Sequence, residues 1–335
     1  GWLPGGIAIV ALTACAFFTS FSGASGVTIL ALGGLLFPLL SKAGYPEKFS
    51  LGLLTTSGSL GLLFPPSLAI LLYGIIAGVN IDDLFLAGIV PGLLLMILLA
   101  LYSFIIGIRF NVPRREYSSE LLIKTMRSAL GDILLPVLLI AGIFGGYVTI
   151  SEAAASTVIY VLILETLVHQ SFNLKTQFMK VLVDTSVLTG SILIILGIAM
   201  GLTNLLIDAQ LPMKLFNWVE GDLKTQIQFL LALNIFLLVV GAMMDIFSAT
   251  VVVVPLILPL AQRFGIDPIH LGIIFLANLE IGYSTPPVGM NLFIASQRFN
   301  KPVITLFRSA LPFLVLMIIW LMLVTYLPVL SLWWR

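Results

Sequence analysis

The chain has 335 residues, of which 60% are hydrophobic and 9% are charged, and its formal net charge is +1. Soluble domains carry about 25% charged residues, so this composition excludes a chain whose surface faces water, and the mean hydropathy of +1.16 indicates lipid as the main solvent. No Gly-rich phosphate loop ending in Lys-Ser/Thr occurs in the sequence, which argues against an ATP-driven pump.

Apolar segments follow one another along the chain, and several are too short for a span, which needs about 20 residues. They lie at 4–20, 24–40, 49–63, 66–79, 84–108, 132–148, 153–168, 181–207, 226–243, 247–262, 269–281, 286–297 and 303–330. Four pairs of them are separated by FSGASG (21–26), FPPS (64–67), MDIFSAT (244–250) and STPPVG (284–289). Short paired segments split by Gly, Ser or Pro predict two re-entrant helical hairpins and two broken helices.

The pairs repeat along the chain at a fixed offset of 221 residues. The offset aligns Pro38 with Pro259, Gly44 with Gly265, Gly61 with Gly282, Pro65 and Pro66 with Pro286 and Pro287, and Pro91 with Pro312. We interpret this as a duplication of a unit made of a hairpin, a broken helix and a following helix. Residues 131–221 precede the second hairpin, so a symmetrical protein would have about 90 residues upstream of residue 1, and we expect this chain to lack an N-terminal part.

The distribution of Lys and Arg predicts the orientation of the repeats. The longest basic loop contains Arg109, Arg114, Arg115, Lys124 and Arg127, and we place it in the cytoplasm. Counting helices outward places Lys42, Lys48, Lys175, Lys180, Arg298, Lys301 and Arg308 on that side too, and Lys214, Lys224, Arg263 and Arg335 outside. Equivalent loops of the two repeats then fall on opposite faces, which predicts inverted repeats. Charge counting does not separate re-entrant hairpins from full spans, but the almost uncharged tips favour re-entrance.

The first hairpin tip and the first break contain residues typical of a sodium site. The tip carries Ser22, Gly23 and Ser25, and the Pro-Pro pair at 65–66 disrupts the preceding helical turn. We expect this disruption to free carbonyl groups at residues 59–63. Sodium is a hard cation that suits hydroxyl and carbonyl oxygens, and half-helix C-termini present the negative end of a dipole. The alternative is that Gly and Ser here permit close helix packing.

The second hairpin tip and the second break contain two carboxylates, Asp245 and Glu280. A carboxylate at membrane depth costs about 2.5–3.5 kcal/mol or more and usually faces a cavity or a partner. Asp245 is either an ion ligand or the N-cap of the second arm of the hairpin. Glu280 is either an ion ligand, a partner of Asn278 or of a backbone donor, or a group that shapes the break.

Other charged groups receive simpler interpretations. Glu152 follows a Gly-Gly turn and is predicted to cap the start of its helix. Asp132, Glu165 and Asp184 are predicted to lie near helix ends, where water solvates them. The two histidines are far apart and there is one cysteine, so the sequence predicts no metal cluster.

Two long runs resemble the large membrane subunit of the tripartite ATP-independent periplasmic (TRAP) transporters. They are GASGVTILALGGLLFPLLSKAGYPEKFSLGLLTTSGSLGLLFPPS and GIDPIHLGIIFLANLEIGYSTPPVGMNLF, with LFLAGIVPGLLL and TISEAAA between them. The resemblance extends over nearly the whole chain, and the second run is quite specific. It implies an all-α polytopic protein of the bacterial inner membrane with inverted repeats and an elevator-type cycle. The large subunit of this family is usually longer at its N-terminus.

The resemblance also implies the activity and the partners. A periplasmic binding protein would deliver a carboxylate-bearing organic acid, a small four-helix membrane subunit would act as scaffold, and sodium would be the coupling ion, with no organic cofactor and no enzymatic reaction. One sodium site would be framed by Ser22, Gly23, Ser25, Ser57, Ser59 and Gly61, and the other by Asp245, Ser248, Glu280, Gly282 and Thr285. The substrate would lie between the hairpin tips, near the positive ends of the half-helices that begin at Ser67 and Gly289.

The chain is predicted to divide into four parts. Residues 1–82 and 226–300 form the transport domain, residues 83–225 connect as scaffold helices, and residues 301–335 form a C-terminal scaffold helix. The rival functions are a stand-alone sodium/carboxylate symporter, an intramembrane hydrolase and a passive channel. The hydrolase lacks a Ser–Lys or His–metal arrangement, and the channel does not explain two breaks that resemble closed binding sites.

Overall fold

A computed structural model of the chain describes residues 3–113, 130–187 and 225–335, together with residues 123, 126 and 190. Most of the apolar segment 181–207 lies outside the described residues. So do several basic residues used to predict orientation, namely Arg114, Arg115, Lys124, Arg127, Lys214 and Lys224.

Every regular element of the described residues is helical, which confirms the all-α prediction. The helices are α1 (Gly6–Ser22), α2 (Ser25–Lys42), α3 (Glu47–Ser57), α4 (Leu68–Ala77), α5 (Ile81–Arg109), α6 (Leu130–Phe144), α7 (Ile150–Ile163), α8 (Gln226–Met243), α9 (Ile246–Arg263), α10 (Pro268–Gly282), α11 (Met290–Phe299) and α12 (Val303–Tyr326). A 3₁₀ turn (Leu60–Leu63) follows α3, a π-turn (Leu164–Val168) follows α7, and a second 3₁₀ turn (Pro328–Leu330) follows α12. Residues 178–187 are also helical.

Six helices in the described part of the chain are long and apolar enough to cross a membrane. The number is seven if α3, its 3₁₀ turn and α4, which bend by 45°, are counted as one span. This confirms a polytopic membrane protein, and the bend confirms that the first predicted broken helix is interrupted. Length and composition do not distinguish a re-entrant hairpin from two spans, so re-entrance stays a prediction.

Polar side chains cap the helices where the sequence changes from loop to apolar run. Asn80, Asp245 and Asp267 accept backbone N–H groups at the starts of α5, α9 and α10. Thr149 and Glu152 form a reciprocal capping box at the start of α7, which confirms the predicted role of Glu152. Because these side chains satisfy N–H groups that a helix leaves unpaired, they fix where each helix begins.

The helix boundaries repeat at the offset of 221 residues found in the sequence. Helices α2 and α9 start at residues 25 and 246 and end at 42 and 263, and α3 and α10 start at 47 and 268. The Pro65-Pro66 and Pro286-Pro287 peptide bonds are both cis. Moreover, α4 packs against α9, and its equivalent α11 packs against α2. Reciprocal contacts of this kind are what a two-fold relation between the repeats produces.

The described residues form two compact units. One contains both repeats, in residues 3–113 and 225–335, and the other lies within residues 116–197. In the first unit α10 is almost completely buried, and the indole of Trp320 in α12 donates to the carbonyl of Pro91 in α5 at 2.9 Å. The predicted division into transport and scaffold parts, with boundaries at 82, 225 and 300, stays a prediction.

Candidate functional site

The two hairpin tips meet at a small cavity of about 70 Å³. Its lining residues are Gly23, Ala24, Ser25, Gly26, Leu62, Asp245, Ile246, Phe247, Tyr283 and Met290. Four pairs among them are related by the repeat offset: Ala24 with Asp245, Ser25 with Ile246, Gly26 with Phe247, and Leu62 with Tyr283. Residues at equivalent positions of the two repeats therefore line a single cavity.

Hydroxyl groups organise the first hairpin tip. The Thr19 and Thr28 hydroxyls lie 2.6 Å apart across the two arms, and Thr19 donates to the carbonyl of Gly58 at 2.8 Å. Ser25 donates to the side-chain oxygen of Asn291 in α11 at 2.8 Å. These contacts tie the first tip to its own broken helix and to the second repeat.

Asn291 is the residue through which the second repeat holds the first tip. Its side chain is completely buried. It accepts from Ser25, donates to the carbonyl of Thr55 at 3.4 Å, and its backbone N–H donates to the carbonyl of Tyr283 at 2.9 Å. It therefore joins the first hairpin, α3 and the C-terminal end of α10 in one network.

The backbone at the first break is more tightly wound than the sequence predicted. The N–H of Leu62 donates to the carbonyl of Ser59 at 3.0 Å, and the N–H of Phe64 donates to that of Gly61 at 3.1 Å. The expectation of free carbonyls throughout residues 59–63 is wrong for Ser59 and Gly61, because the chain forms a 3₁₀ turn there instead of unwinding. A carbonyl oxygen has two lone pairs, so each still has capacity for an ion.

Each break lies against the first arm of its hairpin through an equivalent glycine. A Cβ on Gly61 would lie 2.2 Å from the carbonyl oxygen of Ala16 and 2.4 Å from the nitrogen of Ser20. A Cβ on Gly282 would lie 2.5 Å from the carbonyl carbon of Gly241, and Gly241 is the equivalent of Ser20. Close backbone packing, the alternative interpretation for glycine at the breaks, is therefore present at both.

Asp245 is the N-cap of α9, as one of its two interpretations predicted. One carboxylate oxygen accepts from the N–H groups of Phe247 and Ser248 at 3.0 Å, and the other accepts from the Ser248 hydroxyl at 2.5 Å. The phenol oxygen of Tyr283 accepts from the N–H of Ile246. Asp245 is only partly buried and lines the cavity, so capping and ion ligation are compatible there.

Glu280 is completely buried, and neither carboxylate oxygen has a hydrogen-bond partner among the described residues. The predicted partnership with Asn278 is not formed, since the Asn278 amide donates to Asn234 at 2.7 Å and to the carbonyl of Ile274 at 2.8 Å. Burying a charged group without a partner is costly. This carboxylate therefore requires a cation or a proton to be stable where it lies.

The two predicted sodium sites adjoin each other. The Ser59 hydroxyl lies 3.4 Å from the backbone oxygen of Glu280, and these residues are equivalents at the offset of 221. Gly23, Ser25 and Asp245 line the cavity, whereas Glu280 does not. The remaining predicted ligands, which also lie outside the lining, are Ser22, Ser57, Ser59, Gly61, Ser248, Gly282 and Thr285. Of these, Ser248 is engaged by the cap of α9, and the Thr285 hydroxyl donates to the carbonyl of Gly282 at 2.9 Å.

The sequence alone did not predict that Thr19, Tyr283 and Asn291 belong to the site. Tyr283 and Asn291 lie in the same run as Glu280, beside and just after the second Pro-Pro pair. Their position next to a break was the available signal. Thr19 precedes the first tip and is completely buried, and only its spatial neighbours reveal its role.

The chain resembles a known transporter family and several named relatives. The family model of the "Tripartite ATP-independent periplasmic transporter, DctM component" matches residues 1–330. A C4-dicarboxylate TRAP transporter large permease protein from Pseudomonas aeruginosa is 36% identical, over 99% of this chain and 78% of that protein. A sialic acid TRAP transporter large permease protein from Vibrio cholerae is 34% identical, over 98% and 77%. An ectoine TRAP transporter large permease protein from Halomonas elongata is 30% identical, over 100% and 78%.

Proposed function

The chain belongs to the DctM family of tripartite ATP-independent periplasmic transporters, and from this premise we propose that it imports a carboxylate-bearing organic acid together with sodium. It is a multi-pass protein of the bacterial inner membrane and a transporter rather than an enzyme. Its family carries out secondary transport of organic acids with a periplasmic substrate-binding protein and a small membrane subunit.

The cavity between the hairpin tips carries this proposal. Two half-helices, α4 and α11, begin beside the two breaks, at Ser67 and Gly289. Helix N-termini favour anions, and the buried hydroxyl of Ser67 has no partner among the described residues. The substrate carboxylate would bind near these ends. A cavity of about 70 Å³ is smaller than the roughly 300 Å³ of a typical ligand pocket, so binding would require the tips to separate.

Sodium coupling is supported by the buried carboxylate of Glu280 and by the oxygen-rich surroundings of the breaks. The first site would use Ser22, Gly23, Ser25, Ser57, Ser59 and Gly61, and the second would use Asp245, Ser248, Glu280, Gly282 and Thr285. A cation beside Glu280 would offset the cost of burying its charge. Hydroxyl and carbonyl oxygens suit a hard cation, as they do in other transporters with broken helices.

The relatives suggest the class of substrate. Two of them are named for a C4-dicarboxylate and for sialic acid, which both carry a carboxylate. We propose that a periplasmic binding protein hands such an acid to this subunit, while a four-helix membrane subunit serves as scaffold. The hairpins and broken helices would then move together across the bilayer in an elevator-type cycle.

Uptake into proteoliposomes tests the proposal. The large subunit is reconstituted with its small partner and given labelled organic acids, with and without an inward sodium gradient and the cognate binding protein. Uptake that requires both sodium and the binding protein is expected. Uptake with sodium and free substrate alone would favour a stand-alone symporter, and sodium-independent equilibration would contradict coupling altogether.

A further inference from the structure

A second group of charged side chains lies in the other compact unit, at the paired ends of α6 and α7. It consists of Asp132 in the first turn of α6, Glu165 in the π-turn and His169 directly after it. One carboxylate oxygen of each acid and one ring nitrogen of the histidine lie within 4.8 Å of one another. The three residues come from segments more than 30 positions apart, so the fold and not local sequence assembles them.

Contacts outside the group hold these two helix ends together. The Tyr160 hydroxyl in α7 donates to the carbonyl of Gly131 at 2.8 Å. A Cβ on Gly131 would lie 2.7 Å from a terminal methyl of Leu164, so the Leu164 side chain packs directly on the backbone of residue 131 because that residue has no side chain. These contacts involve the neighbours of Asp132 and Glu165, and they fix the spacing of the two carboxylates.

The π-turn orients Glu165 and His169 toward the same side. The N–H of His169 donates to the carbonyl of Leu164, five residues earlier, at 2.9 Å, and π-turns of this kind often occur at functional sites. His169 Nδ1 lies 3.2 Å from Glu165 Oε1, and the Ser171 hydroxyl donates to Glu165 Oε2. Glu165 is thus held in place by both neighbours, next to the imidazole of His169.

We infer that Asp132, Glu165 and His169 form a binding site for a divalent transition-metal ion such as Zn²⁺. One imidazole and two carboxylates are a donor set that Zn²⁺ and its neighbours in the first transition row accept. Tetrahedral zinc with bonds of about 2.0–2.2 Å places its ligand atoms about 3.4 Å apart, which these side chains reach by small rotations from 4.8 Å. The ion balances two adjacent carboxylates and clamps the start of α6 to the end of α7.

The site is open to solvent. The side chains of His169 and Glu165 are 31% and 35% exposed, so water completes the coordination sphere. The charge distribution of the sequence places the following Lys175 and Lys180 in the cytoplasm, so the ion comes from the intracellular side. The inference does not depend on the sodium sites, which belong to the other unit.

Metal titration tests this site directly. The large subunit is purified with a tag that contains no histidine, stripped of metal, and titrated with Zn²⁺ in a calorimeter and with Co²⁺ in an absorption spectrometer. One ion per chain is expected, and the Co²⁺ spectrum should show a nitrogen ligand. Asp132→Asn, Glu165→Gln and His169→Gln should each weaken Zn²⁺ binding about 10-fold or more, and His169→Gln should remove the nitrogen signature.

Asp184→Asn is the matched control, because Asp184 is an exposed acid of the same unit that lies outside the group. Its affinity for Zn²⁺ should equal that of the unmodified chain. The inference is overturned if no stoichiometric ion binds, or if the three variants, eluting as folded protein in size-exclusion chromatography, bind Zn²⁺ as tightly as the control.

Discussion

The two repeats have the same arrangement of helices and breaks but differ in their polar side chains. Thr19, Thr28, Ser25 and Ser59 of the first repeat are replaced by Val240, Ala249, Ile246 and Glu280 in the second, and Ala24 and Leu62 are replaced by Asp245 and Tyr283. At these equivalent positions the first repeat therefore offers mainly hydroxyl groups, whereas the second offers two carboxylates and a phenol. A symmetric scaffold with an asymmetric site can bind two cations in different ways, and each repeat can be tested alone.

Substituting the two equivalent glycines tests the backbone packing that the repeats share, and these substitutions should have the largest effects on stability. Gly61→Ala and Gly282→Ala each place a Cβ within 2.5 Å of backbone atoms, and overpacking of this kind costs about 1–3 kcal/mol or more. Both variants should unfold at lower temperature or give little folded protein. Melting temperature in detergent is the measurement.

Gly190→Ala is the control for the glycine pair, because no atom of the described residues lies within 4 Å of a Cβ at that position. Its melting temperature should be unchanged. If Gly61→Ala and Gly282→Ala also melted like the unmodified chain, the close approach of each break to its hairpin would not exist.

The asymmetry of the site is tested most strongly at the equivalent residues Ser59 and Glu280. Glu280→Gln removes the buried charge and should raise the sodium concentration for half-maximal uptake about 30-fold, equivalent to about 2 kcal/mol for a contact with a charged group. Ser59→Ala removes one neutral hydroxyl and should raise the sodium concentration for half-maximal uptake about 3- to 5-fold. Equal effects of the two substitutions would contradict a second repeat that binds through charge.

The connection between the repeats can be measured with a double-mutant cycle. The cycle combines Asn291→Ala with Ser25→Ala, because the Ser25 hydroxyl donates to the Asn291 side chain. Each single substitution removes one partner of this buried hydrogen bond and should lower the free energy of unfolding by about 1–2 kcal/mol. The double variant should cost less than the sum, with a coupling of about 1 kcal/mol. Additive costs in thermal or denaturant unfolding would show that Asn291 does not hold the first tip.

The smallest expected change separates the two roles of Asp245. Asparagine is also a good N-cap, so Asp245→Asn should keep the melting temperature, whereas Asp245→Ala should lower the stability of the hairpin by about 1 kcal/mol. If Asp245 also binds sodium, both variants should lower the apparent sodium affinity in uptake assays. Sodium dependence that is unchanged in Asp245→Asn would leave Asp245 as a cap alone.

Much of the architecture was predictable from the sequence, because proline, glycine and apolar periodicity act locally. The offset of 221 residues located both Pro-Pro breaks, and the capping role of Glu152 followed from its place after a turn. The 3₁₀ turn at Leu60–Leu63 was not predictable, since it depends on how closely α1 approaches the break. The roles of Thr19 and Asn291 and the grouping of Asp132 with His169 were missed for the same reason: each depends on neighbours distant in sequence.

Direct sodium binding tests the central claim, that the two repeats build adjoining sodium sites and that the buried charge of the second repeat dominates sodium binding. Equilibrium binding of ²²Na⁺ would be measured on the purified large subunit without substrate, for the unmodified chain, Ser59→Ala and Glu280→Gln. Saturable binding that is retained with weaker affinity in Ser59→Ala and greatly reduced in folded Glu280→Gln is predicted. Absence of saturable binding to the folded unmodified chain, or full binding by Glu280→Gln, would contradict the account.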